Sequence, residues 1–234
     1  MKKRTILVIG PVSPQASDMA IAKNLMFLQD HYQLDYLDSL VIMNDECREA
    51  YYERWKSYLE DRLHCYDAFM GFSFGGVILQ QSFALFESVK KSIILFSTPS
   101  FADASLHAKL GKVVSLCEKN QLDVALKALY QDVFLSTVHL SFDFTDLDRG
   151  VAAERLIFGL NRVLETDSRA ILKKSPVEHL HLIGECSQLV NEKNVMTPKT
   201  GCLMSVPKAG MRVLQDNPGF CQRVILERLS RDLG

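Results

Sequence analysis

The chain reads Gly71-Phe72-Ser73-Phe74-Gly75-Gly76 where a short apolar run, Ala68–Phe72, gives way to an amphipathic stretch, Phe74–Phe86. The run predicts a buried strand and the stretch a helix. A serine at such a strand-to-helix turn is lifted above the sheet, and glycines let the turn pass close to its neighbours. The G-x-S-x-G pattern in this position therefore predicts a nucleophile, Ser73. The amide of Phe74, at the positive end of the helix, is a candidate oxyanion donor.

Six short apolar runs have the length and continuity of strands that are buried on both faces. They alternate with amphipathic helical stretches, which predicts an α/β fold with a doubly wound, mostly parallel six-stranded sheet. The ligand crevice of such a sheet lies at the carboxyl ends of its strands. The predicted strands are Thr5–Gly10, Gln33–Leu37, Ala68–Phe72, Ser92–Phe96, His179–Ile183 and Cys202–Val206, and the predicted core helices are Ser17–His31, Asp45–His64, Phe74–Phe86 and Pro218–Leu229.

Between about Pro99 and Ser175 the sequence has helical periodicity and no apolar run of the strand type. We therefore expect a helical lid, residues 99–175, inserted between strands four and five of a core formed by residues 1–98 and 176–234. The apolar side chains of this segment predict either an apolar pocket under the lid or simple packing of the lid on the core. They are Val113, Val114, Leu116, Leu122, Leu126, Leu129 and Phe134.

Composition argues against several classes of function. The 27 basic and 28 acidic residues are interspersed and give a formal net charge of −1, so we expect no binding to nucleic acid or to an anionic membrane. The six cysteines form no C-x-x-C pair and have no histidine at zinc-ligand spacing, which favours a reduced cytoplasmic protein without a metal. The first strand is followed by neither G-x-G-x-x-G nor G-K-[ST], so no phosphate cofactor is expected.

The whole chain resembles a small lidded α/β hydrolase, similar in length and layout to the carboxylesterases that cleave pimeloyl-carrier-protein methyl ester. The resemblance rests on the strand-to-helix turn at Ser73, which is called the nucleophile elbow in such hydrolases, and it implies acyl transfer by a Ser-His-Asp triad. In such families the first strand usually ends His-Gly, whereas here it ends Ile9-Gly10-Pro11. The amide of Val12 thereby becomes the candidate second oxyanion donor.

Both partners of the serine are replaced at the positions that match the family. The acid of these families follows strand five in a Gly-x-x-Asp turn, where this chain reads Gly184-Glu185-Cys186-Ser187. The histidine follows strand six in a Gly-His segment, where Met211 follows Gly210. No histidine occurs after His181, so shifting the alignment does not restore one. Loss of a triad member typically costs roughly 10⁴ to 10⁶ in kcat.

A replacement base would have to lie at the carboxyl end of the sheet, within hydrogen-bond reach of Ser73. His107 and His139 in the predicted lid are candidates, with Asp103 as a candidate acid, and a surface or packing role is the alternative for each histidine. Lys208 suggests a Ser–Lys pair, but a solvated lysine with a pKa of about 10.4 is a poor base at neutral pH. The histidines at helix ends or in strand five are expected to be structural: His31, His64, His179 and His181.

Two functions remain open at this point. The first is an esterase or thioesterase that acts on a small or carrier-bound acyl group, with Ser73 as nucleophile and a base from the lid. The second is a degenerate hydrolase that keeps the pocket as a binding module for an acyl ligand or a protein partner. The intact elbow favours the enzyme slightly, because a strained serine would have no use in an idle site. Neither function requires a cofactor.

Overall fold

A computed structural model describes residues 3–16, 20–136 and 147–231, and its centre is a six-stranded parallel sheet. The strand order is β2-β1-β3-β4-β5-β6, and every neighbouring pair is parallel. The six predicted strands are confirmed to within one residue at each end. They are β1 (Arg4–Ile9), β2 (Tyr32–Leu37), β3 (Ala68–Phe72), β4 (Ser92–Phe96), β5 (His179–Gly184) and β6 (Cys202–Val206).

Helices cover both faces of the sheet and connect its strands, except that residues 185–201 join β5 to β6 without a helix. The α-helices of the described ranges are α1 (Ala20–Asn24), α2 (Arg48–Glu60), α3 (Phe74–Gln81), α4 (Ala104–Glu118), α5 (Leu122–Val133), α6 (Arg149–Glu165), α7 (Arg169–Lys174), α8 (Val213–Asp216) and α9 (Pro218–Arg231). Helices α4 to α7 occupy the chain between β4 and β5, where the sequence predicts helical segments. Among the described residues, no helix is long and apolar enough to cross a membrane.

Three predicted helices are shorter than their hydrophobic periodicity indicates. The predicted helix Asp45–His64 is α2 only over Arg48–Glu60, and a separate 3-10 turn, Leu63–Cys65, follows it. The predicted helix Ser17–His31 is described only as α1 and a separate 3-10 turn, Met26–Leu28, because the backbone of Leu25 leaves the helical region at φ −104° and ψ 4°. Helix α3 ends at Gln81, and a 3-10 turn, Phe83–Phe86, follows it. The hydroxyl of Ser82 donates to the carbonyl oxygen of Ile78 at this end, a bond that competes with continued helix.

Two apolar layers cover the two faces of the sheet. One contains side chains from α2, α3, α4, α5 and α6, and the other contains side chains from the region of α1 and from α8 and α9. The aromatic residues Tyr51 and Trp55 of α2 lie fully buried in the first layer, as their helical spacing predicts. Burial on both sides explains why the strand sequences are continuously apolar rather than alternating.

Candidate active site

Ser73 occupies a strained turn between β3 and α3. Its backbone has φ 49° and ψ −110°, a combination that costs a residue with a side chain about 1–3 kcal/mol. The Ser73 amide donates to the carbonyl oxygen of Phe96 over 2.8 Å, and its carbonyl accepts from the amides of Gly76 and Val77. These bonds tie the turn to β4 on one side and to the first turn of α3 on the other.

Three glycines around Ser73 are required by the close approach of neighbouring backbone. A Cβ on Gly71 would lie 2.5 Å from the Cα of Gly76, and one on Gly75 would lie 2.2 Å from the carbonyl oxygen of Ile9. A Cβ on Gly76 would lie 1.9 Å from Oγ1 of Thr98. The N-terminus of α3 therefore sits directly against the carboxyl ends of β1 and β4, which is the packing that a nucleophile elbow requires.

The two predicted oxyanion donors have free backbone N–H groups. Within the described ranges, neither the Val12 amide nor the Phe74 amide has a hydrogen-bond acceptor. Val12 lies in the loop after β1, whose carboxyl end contacts Gly75 of the elbow. An unbonded amide next to Ser73 in the chain and a second one in a loop that lines the same cavity are donors that stabilisation of a developing oxyanion would use.

A buried ion pair fixes the loop that contains Val12. Arg155 of α6 is 6% exposed, donates from Nε to the carbonyl oxygen of Ser13 over 3.0 Å, and donates from Nη2 to both carboxylate oxygens of Asp38 over 2.9 Å. One turn further along α6, a Cβ on Gly159 would lie 2.7 Å from the side chain of Val12. The inserted helix is therefore packed directly on the loop after β1.

A cavity of about 310 Å³ lies at the carboxyl ends of the strands and has Ser73 in its wall. This volume is at the lower end of the range for small-molecule sites. The wall is mainly apolar and draws on both layers of the core, with Val8 and Phe72 from one layer and Leu110 and Leu160 from the other. An apolar lining of this kind favours apolar groups of a ligand.

The whole structure is similar to that of MenH from S. aureus, with a TM-score of 0.73 and 13% identity over 100% of this chain and 96% of that one. The chain has the α/β-hydrolase fold. It is also similar to MGS-M2, an alpha/beta hydrolase enzyme from a Medee basin deep-sea metagenome library (TM-score 0.76, 13% identity, 98% of this chain and 90% of that one), and to the esterase EaEST from Exiguobacterium antarcticum (0.66, 13%, 98% and 93%). No protein-family model and no curated protein matches the sequence.

The two loops in which the resemblance implies an acid and a base are in contact. The loop after β5 and the loop after β6 are joined by a backbone hydrogen bond, since the Cys186 amide donates to the carbonyl oxygen of Ala209 over 2.8 Å. Met211 lines the cavity together with Ser73, and its carbonyl oxygen accepts from the Ser97 hydroxyl over 2.7 Å. A thioether thus lies at the position where the resemblance implies an imidazole.

Ser187, at the position of the acid, is buried and fixed. It is 6% exposed, and its Oγ accepts a hydrogen bond from the Val190 amide over 3.3 Å. Val190 itself lines the cavity. Ser187 therefore stabilises a turn at the edge of the site and carries no charge.

The candidate replacement residues do not converge on Ser73. Asp103 caps α4, its Oδ1 accepting from the Leu106 amide over 2.8 Å. His107 is exposed on the same helix, Lys208 is exposed after β6, and none of the three lines the cavity. His139 lies outside the described residues. The Oγ of Ser73 has no hydrogen-bond partner within the described part of the chain.

The histidines of β5 are structural, as the sequence predicts. Burial lowers the pKa of His179 to about 4 and that of His181 to about 3. The Nε2 of His181 accepts from the Thr98 amide over 3.1 Å, and the ring of His179 packs beside Phe83. Both rings are therefore neutral parts of the core, while His31 and His64 are exposed.

Sequence reasoning missed the ion pair of Arg155 with Asp38. A signal existed, because Arg155 lies at helical spacing within the buried side of α6, between Ala152 and Leu156. A charged residue in an apolar stripe requires a partner. Asp38, placed just after β2 at the carboxyl edge of the sheet, was available for that role.

Of the apolar residues expected in the lid, only some reach the cavity. Leu129 and Phe134 line it, whereas Val113 and Leu126 are buried in the core layer under the inserted helices. Both sequence interpretations therefore apply, each to a different part of the insertion. No group of three or more metal-ligating side chains occurs among residues 3–16, 20–136 and 147–231.

Proposed function

We propose that the protein is a serine acyl-transfer enzyme, an esterase or thioesterase, that acts through an acyl-Ser73 intermediate. The observation that carries this proposal is the strained Ser73 in the wall of an apolar cavity, next to two amides without acceptors. Strain of this size persists only where the surrounding structure enforces it, as the glycines of the elbow do.

The proposed chemistry is a two-step transfer. Oγ of Ser73 attacks the acyl carbonyl carbon, and the resulting oxyanion accepts hydrogen bonds from the amides of Val12 and Phe74. The bond to the leaving group breaks, the leaving group departs as an alkoxide or thiolate, and the proton of Ser73 passes to solvent water. Water then attacks the acyl-serine and releases the acid.

The absence of an imidazole at Met211 favours some substrates over others. Without a general acid, the leaving group must depart unprotonated or nearly so. A thiolate, whose conjugate thiol has a pKa of about 8.5, departs far more readily than an alkoxide. We therefore expect thioesters and aryl esters to acylate Ser73 much faster than alkyl esters do.

A specific observation supports the second candidate, a degenerate hydrolase that binds an acyl ligand or a protein partner. The resemblance puts Met211 and Ser187 at the positions of base and acid, and no histidine among the described residues lines the cavity. An enzyme of this composition would turn over slowly, and a binding protein would need neither residue.

Intact-mass measurement separates the two candidates. The protein and its Ser73→Ala variant are incubated with a fluorophosphonate and with p-nitrophenyl octanoate, and covalent adducts are followed over time. The acyl-transfer proposal requires an adduct in the wild type and none in the variant. An unlabelled wild type that still takes up octanoate would overturn it and support the binding module.

Two further variants identify the base if turnover is found. His139→Ala and His107→Ala are compared with the wild type for release of the octanoyl group. Loss of release in one variant, with acylation retained, assigns that histidine to the activation of water. Unchanged release in both variants indicates that water attacks without a protein base.

A further inference from the structure

The cavity has two walls of different chemistry. The helices inserted between β4 and β5 contribute apolar side chains to it, which we call the apolar wall: Leu106, Leu110, Leu129, Val133, Leu160 and Val163. The loops after β1 and β2, the end of β2 and helix α1 contribute five polar side chains, which we call the polar wall: Ser13, Gln15, Asn24, Tyr36 and Asp38.

Hydrogen bonds hold much of the polar wall together. The guanidinium of Arg155 bridges it, because one side chain contacts both the Ser13 carbonyl oxygen and the Asp38 carboxylate. The Gln15 amide donates to Oγ of Ser13 over 3.3 Å. Tyr36 lies in β2 and Asp38 in the loop directly after it, and both residues line the cavity.

The polar wall carries no net charge. Asp38 is its only ionisable side chain apart from the Tyr36 phenol, and the buried Arg155 compensates it. Burial raises the pKa of Tyr36, so its hydroxyl is a neutral donor. A free carboxylate or ammonium of a ligand would find no counter-charge in this wall, whereas a neutral hydrogen-bonding group would be well matched. The other charged side chain that lines the cavity, Arg212, follows β6 and packs on the ring of Phe134, outside the polar wall.

The Tyr36 hydroxyl lacks a partner. It is buried and makes no hydrogen bond with any described residue. A buried polar group in this condition is unusual, and the commonest explanations are a water molecule or a ligand that completes it. Tyr36 lines the cavity, so a ligand carbonyl that reaches its hydroxyl would accept this hydrogen bond.

We infer that the polar wall binds a neutral arm on the leaving-group side of the substrate, one that carries an amide or hydroxyl, while the apolar wall holds the acyl chain. A secondary amide fits best, since its carbonyl accepts from Tyr36 and its N–H donates to a side-chain oxygen of the same wall. This inference rests on the proposed function, because it takes Ser73 as the acceptor of the acyl group.

The test compares octanoyl thioesters that differ only in the thiol. The probes are the thioester of N-acetylcysteamine, which has an amide, that of an alkyl thiol of the same shape with carbon groups in place of the amide, and that of mercaptopropanoate, which has a carboxylate. Binding is measured by calorimetry with Ser73→Ala, which cannot be acylated, and acylation is measured by intact mass with the wild type. Tyr36→Phe removes the proposed donor, and Tyr130→Phe makes the same change at a tyrosine of α5 that also lines the cavity.

We expect the amide thioester to bind Ser73→Ala at least about fivefold more tightly than its alkyl and carboxylate counterparts. Tyr36→Phe should reduce that affinity ratio most of the way to one, and Tyr130→Phe should leave the ratio unchanged. Equal affinity for the amide and alkyl thioesters, or a ratio that survives Tyr36→Phe, would overturn the inference. A preference of Ser73→Ala for the amide thioester, with no acylation of the wild type, would overturn the proposed function alone. Acylation of the wild type, with no such preference in Ser73→Ala, would overturn this inference alone.

Discussion

Introducing the two side chains that the resemblance implies should raise the rate of ester hydrolysis. The double variant Ser187→Asp with Met211→His places an acid and an imidazole on two loops that are already in backbone contact. Met211 lines the cavity with Ser73, and the Ser97 hydroxyl holds its carbonyl oxygen, so a new imidazole would start from a fixed backbone position. A carboxylate at position 187 can accept the same Val190 amide that Ser187 accepts now.

The expected gain follows from the loss of a working triad, which costs roughly 10⁴ to 10⁶ in kcat. A transplanted pair is not optimally oriented, so we expect a gain of at least ~10² in the hydrolysis of p-nitrophenyl octanoate, a small part of that range. The rate should rise with pH through about 6.5, because only the neutral imidazole acts as a base.

Three controls decide what the result means. Met211→Ala reports the effect of removing the thioether, Met211→His alone should gain less than the pair, and Ser73→Ala in the double variant should abolish the gain. A folded double variant no faster than Met211→Ala would refute the reasoning, because it would show that position 211 does not face the nucleophile in a productive geometry.

Two further predictions concern stability. Arg155→Met leaves the Asp38 carboxylate buried without its partner and should lower the free energy of unfolding by about 3–5 kcal/mol in urea titrations, whereas adding Asp38→Asn should recover much of this loss. The low pKa values of His179 and His181 mean that the unfolded state binds more protons than the folded state below pH 6.5, so stability falls as the pH falls from 6.5 towards 4 and then 3. By pH 5, each of the two rings should lower the free energy of unfolding by about 2 kcal/mol. The variant His181→Gln, whose side-chain carbonyl can still accept from the Thr98 amide, should remove about half of this combined pH dependence. An equal pH dependence in wild type and variant would contradict this assignment.

The sheet could be predicted from sequence because its signal is local. A strand such as Ser92–Phe96 is buried on both faces, so every residue in it reports burial. The elbow at Ser73 could be predicted for the same reason, since strand, turn and helix lie within a few residues. The ends of helices were harder to predict. Helix α3 ends where the Ser82 hydroxyl donates to the carbonyl oxygen of Ile78, and the hydrophobic periodicity of the sequence does not change at that point.

The surroundings of Ser73 could be predicted only in part because they are built from distant segments. Arg155 and Asp38 are 117 positions apart, and nothing local to either residue identifies the other. The same limit applied to the replacement base: His107 had a suitable place in the sequence, but the helical phase that directs Leu106 into the cavity leaves the next residue exposed. Neighbours on a helix point in different directions, and sequence distance alone does not reveal which one faces the ligand.

The cavity wall draws on segments from Val8 to Gln215, that is, on almost the whole length of the chain. Partial unfolding of either half would remove one side of it, so the site exists only in the completely folded molecule. A compound that occupies it must therefore raise the melting temperature of the entire protein, by an amount that grows with the logarithm of its concentration above Kd. The fold itself thus reports ligand binding, and libraries of acyl compounds can be ranked by thermal shift before any reaction is known.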